Sequence, residues 1–195
     1  MEKEDLIKVN PKTTLQRPWR SPIEIPELLA PYYKGKRVIE VGCAAGDFIP
    51  TWSKYAKRVI GYEYDFERYK LLTDRQDLRG LDNVSLERKL VLAKDIPEAD
   101  FYYVWLDNKK QRVSIREGLI ELGAKGVFAY YGGWSTRDLL NVPEAYKMGM
   151  YEYTDEEYEQ CADEVIYFHS KELDNRDHYD AQSRTNEFRI IIERL

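Results

Sequence analysis

Five short apolar runs separated by helix-period stretches limit the folds open to this chain more than any other feature. The runs at 37–41, 58–63, 84–87, 101–106 and 126–130 read as strands. Helical patterns lie between them at 46–55, 66–78, near Pro97, and at 113–122. Strand and helix in alternation predict a parallel sheet with helices on both faces, because each parallel crossover needs a covering element. Two further strands, at 165–168 and 187–193, have no helix between them and predict a hairpin-like pair closing the sheet. The intervening 135–163 reads as helical and acidic, interrupted at Pro143 and near Gly149.

At 195 residues the chain suits one domain that buries roughly 70 % of its unfolded surface. Residues 1–20 mix charge with Pro11 and Pro18 and read as an irregular amino-terminal arm, leaving 21–195 as a single domain. Ser21 and Pro22 start a short helix over 23–33, broken at Pro26 and Pro31. No apolar run approaches the roughly 20 residues that span a bilayer, and Met1 opens no signal peptide, so a cytoplasmic protein without membrane contact is expected. Cys43 and Cys161 cannot make a disulfide framework and are expected as free thiols. With His169 and His178 the only histidines, no imidazole-based metal site is expected. The net charge of −5 disfavours a nucleic-acid partner, although Lys12, Arg17, Arg20, Lys34, Lys36 and Arg37 make the amino-terminal region locally basic. Nothing in the sequence speaks to oligomeric state.

The first strand ends in "RVIEVGCAAGDF", an acid followed by a cluster of small residues. In an open parallel sheet, ligands sit beyond the carboxyl ends of the strands, and the first strand-to-helix turn comes closest to them. Small residues permit that approach. A dinucleotide fingerprint counted from Gly42 would need small residues at 42, 44 and 47, but position 47 is Asp47. The spacing is Glu40-x-Gly42-x-Ala44-x-Gly46 instead. A second acid, Glu63, ends the next run 23 positions after Glu40, where such folds place a carboxylate for ribose hydroxyls.

This pattern resembles motif I of the class I S-adenosylmethionine-dependent methyltransferases, E/D-x-G-x-G-x-G, with Ala44 in place of the middle glycine. The resemblance implies an α/β, Rossmann-like, seven-stranded, mostly parallel sheet with an antiparallel last strand. It implies S-adenosylmethionine as cofactor, with Glu40 toward the methionine amino group, the backbone of Gly42, Cys43, Ala44, Gly46 and Asp47 along the methionine portion, and Glu63 with Tyr64 at the ribose end. Lys89 and Leu90, after strand three, take the adenine position, without the acid that often stands there.

Methyl transfer is an in-line displacement, so the chain must align an acceptor and, where that acceptor is protonated, supply a base. After strand four, "WLDNKK" has neither the N-P-P-Y or D-P-P-Y of amino-methyltransferases nor a Pro-Cys pair. It is more similar to the catechol-type enzymes, which place a magnesium-binding Asp there. The Asp-Asn pair those enzymes also need after strand five is absent from "AYYGGWST", so metal-independent chemistry is expected. Asp107 is the catalytic or substrate-orienting candidate, with capping of the next turn as its alternative role. His169, ending strand six, is the candidate base because imidazole titrates near neutrality. Tyr130 and Tyr131 are candidates for the acceptor pocket, as are His178, Tyr179 and Arg184 in the long connection 171–185, read either as a lid or as a solvated loop. The expected activity is O- or N-methylation of a small molecule or peptide side chain. A non-catalytic cofactor-binding module and an NAD-dependent oxidoreductase are the alternatives.

Overall fold

The computed structural model of the chain describes residues 24–106, 109–134, 162–169 and 187–195. Two one-turn helices, α1 (Ile25–Leu28) and α2 (Ala30–Tyr33), lead into β1 (Arg37–Val41). Then follow α3 (Ile49–Tyr55), β2 (Arg58–Glu63), α4 (Phe66–Asp74), a 3-10 turn at Gln76–Leu78, β3 (Val84–Arg88) and a second 3-10 turn at Ala93–Asp95. The chain continues through β4 (Phe101–Val104), α5 (Lys109–Glu121), β5 (Val127–Trp134), β6 (Glu164–His169) and β7 (Glu187–Arg194).

The seven strands form one sheet in the order β3-β2-β1-β4-β5-β7-β6. Neighbours from β3 through β5 pair in parallel, and β7 runs antiparallel to both β5 and β6. The strand order reverses between β1 and β4, so the carboxyl ends of those strands flank the crevice where an open sheet takes its ligand.

Alternate residues of the central strands feed two cores. Val38, Phe101 and Tyr103 face Trp52 of α3 and Leu72 of α4, together with Leu29 and Tyr33. Ile39, Val41, Tyr102 and Val104 face Ile115 and Leu119 of α5. Period-two alternation with both faces apolar is what a sheet covered on both sides requires. The aromatic centre of the first core is Trp52, whose ring meets that of Tyr33 edge-on at 4.7 Å.

Local boundaries differ from the sequence expectation for identifiable reasons. Residues 46–48 form the turn rather than the first turn of α3, which starts at Ile49 with Pro50 in the first turn, where a missing N–H costs nothing. The helix expected over 66–78 breaks at Arg75, whose backbone is extended and whose side chain reaches back to the small-residue turn. The β4 ladder stops at Val104, β5 extends to Trp134, and α5 begins at Lys109. The expected helix near Pro97 is the 3-10 turn at Ala93–Asp95. Residues 1–20 and the helical reading of 135–161 lie outside the described residues. Among those described, no helix is long and apolar enough to cross a membrane.

Candidate functional site

The turn after β1 is built by backbone geometry that its small residues allow. Gly42 has φ +82°, and a Cβ there would lie 2.1 Å from the Trp105 carbonyl oxygen. Gly46 has φ +75°, and a Cβ there would lie 2.2 Å from Cδ1 of Leu72. Ala44 adopts φ 48°, a left-handed conformation that costs an L-residue about 1–2 kcal/mol. That conformation is held in place: the Ala44 N–H donates to Oε2 of Glu63 at 2.8 Å.

Glu63 therefore ties the end of β2 to the turn after β1. Its other oxygen, Oε1, accepts the Asp65 N–H at 2.8 Å, at the start of α4. The carboxylate is buried, and desolvation raises its pKa against the pull of these donors and of Arg68. An ionised carboxylate has about four acceptor positions, of which these bonds use two.

Glu40 lies below the same turn and is 2 % exposed. Its Oε2 accepts the Trp52 indole N–H at 3.0 Å. Burial pushes its pKa up to about 8; the Trp52 bond opposes this, and the negative charges of Asp47 and Glu63 add to it. Cys43 is buried with its sulfur packed toward Gly61, and desolvation drives its thiol well above the ordinary value. A thiol so placed is a filler rather than a nucleophile.

Sequence reasoning missed Arg75. Its Nη1 donates to the Ala45 carbonyl at 3.1 Å and to Oδ1 of Asp47 at 3.0 Å, while Nε and Nη2 grip Asp77 in a bidentate pair. The guanidinium thus clips the turn to the end of α4. Its sequence signal was weak, an arginine inside a run with helical period.

Beside Glu63, a cleft of about 540 Å³ opens between the ends of β2 and β3, lined by Tyr64, Arg88, Lys89, Leu90, Leu92, Lys94 and Asp95. The Lys89 N–H donates to the Glu63 carbonyl at 3.0 Å, fixing the rim. Asp95 accepts the Leu92 N–H at 3.3 Å and meets Nζ of Lys89 at 3.4 Å. The Arg88 guanidinium lies 5.0 Å over the Phe66 ring. Sequence reasoning looked for an acid at 88–90; the acid lining the cleft is Asp95, which the 3-10 turn folds back.

The structure thus brings Glu40, Gly42, Cys43, Ala44, Gly46, Asp47 and Glu63 together, with Tyr64, Lys89 and Leu90 in the adjoining cleft. Tyr130 is 8 % exposed and packs in the second core, its ring 5.8 Å from that of Phe128. Tyr131 pairs with Ile190 and His169 with Glu187 by backbone register. Asp107, His178, Tyr179 and Arg184 lie outside the described residues.

No protein family and no curated protein matches the sequence. Solved structures do match the fold. The C-terminal domain of a precorrin-6Y C5,15-methyltransferase from Rhodobacter capsulatus superposes with a TM-score of 0.60 at 11 % identity, over 89 % of this chain and 88 % of that one. An rRNA methylase from Streptococcus thermophilus gives 0.52 at 14 % identity, over 90 % and 98 %. A dimethyladenosine transferase from Plasmodium falciparum gives 0.54 at 15 % identity, over 89 % of this chain and 61 % of that one. This chain has the class I methyltransferase fold. A net charge of −5 disfavoured nucleic acid, yet an rRNA methylase and a dimethyladenosine transferase share this fold. Net charge sums over every surface, whereas docking responds to the local field of one of them.

Proposed function

We propose that the chain is an S-adenosylmethionine-dependent methyltransferase acting on an oxygen or nitrogen acceptor without a metal ion. The observation that carries this reading is the Glu63 carboxylate, which braces the Ala44 N–H and keeps about two acceptor positions for ribose hydroxyls. The neighbouring cleft of about 540 Å³ falls within the ~300–1,000 Å³ of small-molecule sites and suits an adenine between Tyr64 and the apolar side chains of Leu90 and Leu92. Asp95 offers an acceptor for an exocyclic amine. The backbone of 42–46 would face the methionine portion, with Glu40 toward its amino group.

S-adenosylmethionine supplies a methyl group activated by its sulfonium. The chain's own task is to hold acceptor and donor in line and dry, which effective-molarity arguments value at several kcal/mol. Asp107, following β4, and His169, ending β6, are the proposed orienting and basic groups. Tyr131, His178, Tyr179 and Arg184 are proposed acceptor contacts, whereas the burial of Tyr130 in the second core argues against that role for it. An NAD-dependent reading is disfavoured because Asp47 occupies the third glycine position and its carboxylate is held by Arg75.

Calorimetric titration with S-adenosylmethionine, S-adenosylhomocysteine and NAD separates these readings. Binding of the first two and not the third is expected. Binding of NAD alone would overturn the assignment, and tight cofactor binding with no turnover on any acceptor would reduce the chain to a binding module.

A further inference from the structure

The edge of the sheet opposite the candidate cofactor site carries a concentrated positive patch. Segments 34–37 and 54–58 contain six Lys or Arg among nine residues and no acid. All six, Lys34, Lys36, Arg37, Lys54, Lys57 and Arg58, are exposed. The two segments are knitted by the Gly35 N–H to the Tyr55 carbonyl and the Lys57 N–H to the Lys36 carbonyl, each at 2.8 Å. Arg37 and Arg58 are register partners on adjacent parallel strands. Like charges gathered this way repel one another.

Five acids flank the patch, Glu164 beside Tyr32 among them, fewer than its six cations. Asp100 pairs with Arg37 at 3.2 Å. Glu27 acts on Lys54 and Glu98 on Arg37 only through space. Asp82 is exposed beside the start of β3. Two half-buried tyrosines border the cations: Nζ of Lys36 donates to the backbone carbonyl of Tyr32 at 2.7 Å, the Tyr32 hydroxyl donates to Oε2 of Glu164 at 2.6 Å, and Nζ of Lys54 sits 4.8 Å from the Tyr55 ring centre.

We infer that this amino-terminal edge of β1 and β2 is a docking surface for the sugar–phosphate backbone of single-stranded RNA. Arg37 and Arg58, which open neighbouring strands about 4.8 Å apart, track one backbone more readily than they bridge two across a groove about 12 Å wide. A positively charged surface that follows the backbone is one half of the usual design of single-strand sites, and unpaired loops and ends are the form in which RNA is most often recognised. The exposed large apolar side chains among the described residues are Tyr64, Phe66, Leu71, Ile120 and Leu122. None lies in either segment to anchor a bilayer. An RNA held here leaves the Glu40–Glu63 edge accessible, so the inference stands or falls apart from the methyltransferase reading.

The test is fluorescence anisotropy of a short labelled single-stranded RNA, without cofactor, across a salt series. The whole chain should bind with an affinity that falls as salt rises, by about 0.7 in log–log slope per neutralised phosphate. The triple variant Lys34→Glu, Lys57→Glu, Arg58→Glu should bind at least about tenfold more weakly, with a slope shallower by about 2. Lys34→Arg, Lys57→Arg, Arg58→Lys should bind like the parent, and circular dichroism should show both variants folded. No salt-dependent RNA binding by the parent, or equal binding by the charge-reversed variant, overturns the inference. So does a preference for phosphatidylserine vesicles or for a polyglutamate peptide that RNA fails to displace.

Discussion

Glu63 accepts the amide of Ala44 at 2.8 Å across 19 residues of sequence, and by that one bond the end of β2 fixes the turn after β1. The same carboxylate caps Asp65, so removing it orphans two backbone donors, at about 1–3 kcal/mol each where they stay dry. Stability should fall in the order parent, Glu63→Gln, Glu63→Ala, because glutamine keeps one acceptor oxygen. Cofactor affinity in a folded Glu63→Ala protein should drop about tenfold to a hundredfold by calorimetry. Unchanged affinity would reject the ribose assignment.

Glu40 makes stability fall as pH rises. Folded, it keeps its proton up to about pH 8; unfolded, it loses it near the ordinary value of 4.5. Between those values the unfolded chain binds fewer protons than the folded one, so the free energy of unfolding declines with pH, by at most about 5 kcal/mol from this group. Glu63 and Glu193 are raised by burial and act with the same sign. Glu40→Gln should flatten the profile of Tm between pH 5 and 8 relative to the parent. An ammonium group binding beside Glu40 would favour its ionised form, so cofactor binding at pH 7 should release protons, read from calorimetry in buffers of different ionisation enthalpy. A parallel Tm profile in both proteins would show that Glu40 is ionised throughout.

Arg75 clips the turn through Ala45 and Asp47, and only its forked guanidinium reaches both while holding Asp77. Arg75→Lys should lose most of what Arg75→Ala loses, about 1–3 kcal/mol of stability. Cofactor affinity should weaken in both, with the acceptor KM unchanged. An acceptor-side effect instead would show that the turn is held without Arg75.

The strand alternation of the chain was legible because burial on both faces leaves continuous apolar runs, and β1 and β2 begin and end where their patterns do. The small-residue turn was legible for a related reason: Gly42 and Gly46 stand where a Cβ would collide. What stayed hidden depends on side chains reaching across the fold. Arg75 sits within helical period yet leaves the helix to grip a loop 30 residues earlier. Asp95 enters the cleft through a 3-10 turn that no periodicity marks. The raised pKa of Glu40 follows from burial that the composition does not encode, opposed by the bond from Trp52, 12 positions away. Net charge misled for the opposite reason, since it sums over every surface, the locally basic segments included.

Turnover, once an acceptor is found, should persist in EDTA, because the strand-five sequence "AYYGGWST" has no Asp-Asn pair to complete a divalent-cation site with Asp107. Loss of activity on chelation and its return with magnesium would make Asp107 a metal ligand.

Gly42 and Ala44 should respond in opposite ways to exchanging glycine and alanine. At Gly42 the added methyl would meet a backbone carbonyl at 2.1 Å, and φ is +82°, so neither side-chain rotation nor local relaxation accommodates it. Gly42→Ala should cost more than the ~1–2 kcal/mol of left-handed backbone alone, because Trp105 and the β1–β4 ladder must also move. At Ala44, φ 48° already carries that penalty, and glycine removes it while loosening the unfolded chain by ~0.5–1 kcal/mol. Ala44→Gly should therefore leave Tm nearly unchanged or slightly raised, and cofactor affinity equal or tighter as the backbone gains room. Chemical denaturation of the two variants beside the parent reads the contrast directly. A Gly42→Ala protein as stable as the parent would mean that the turn relaxes freely, and the close approach of Gly42 to Trp105 would then not be what selects glycine.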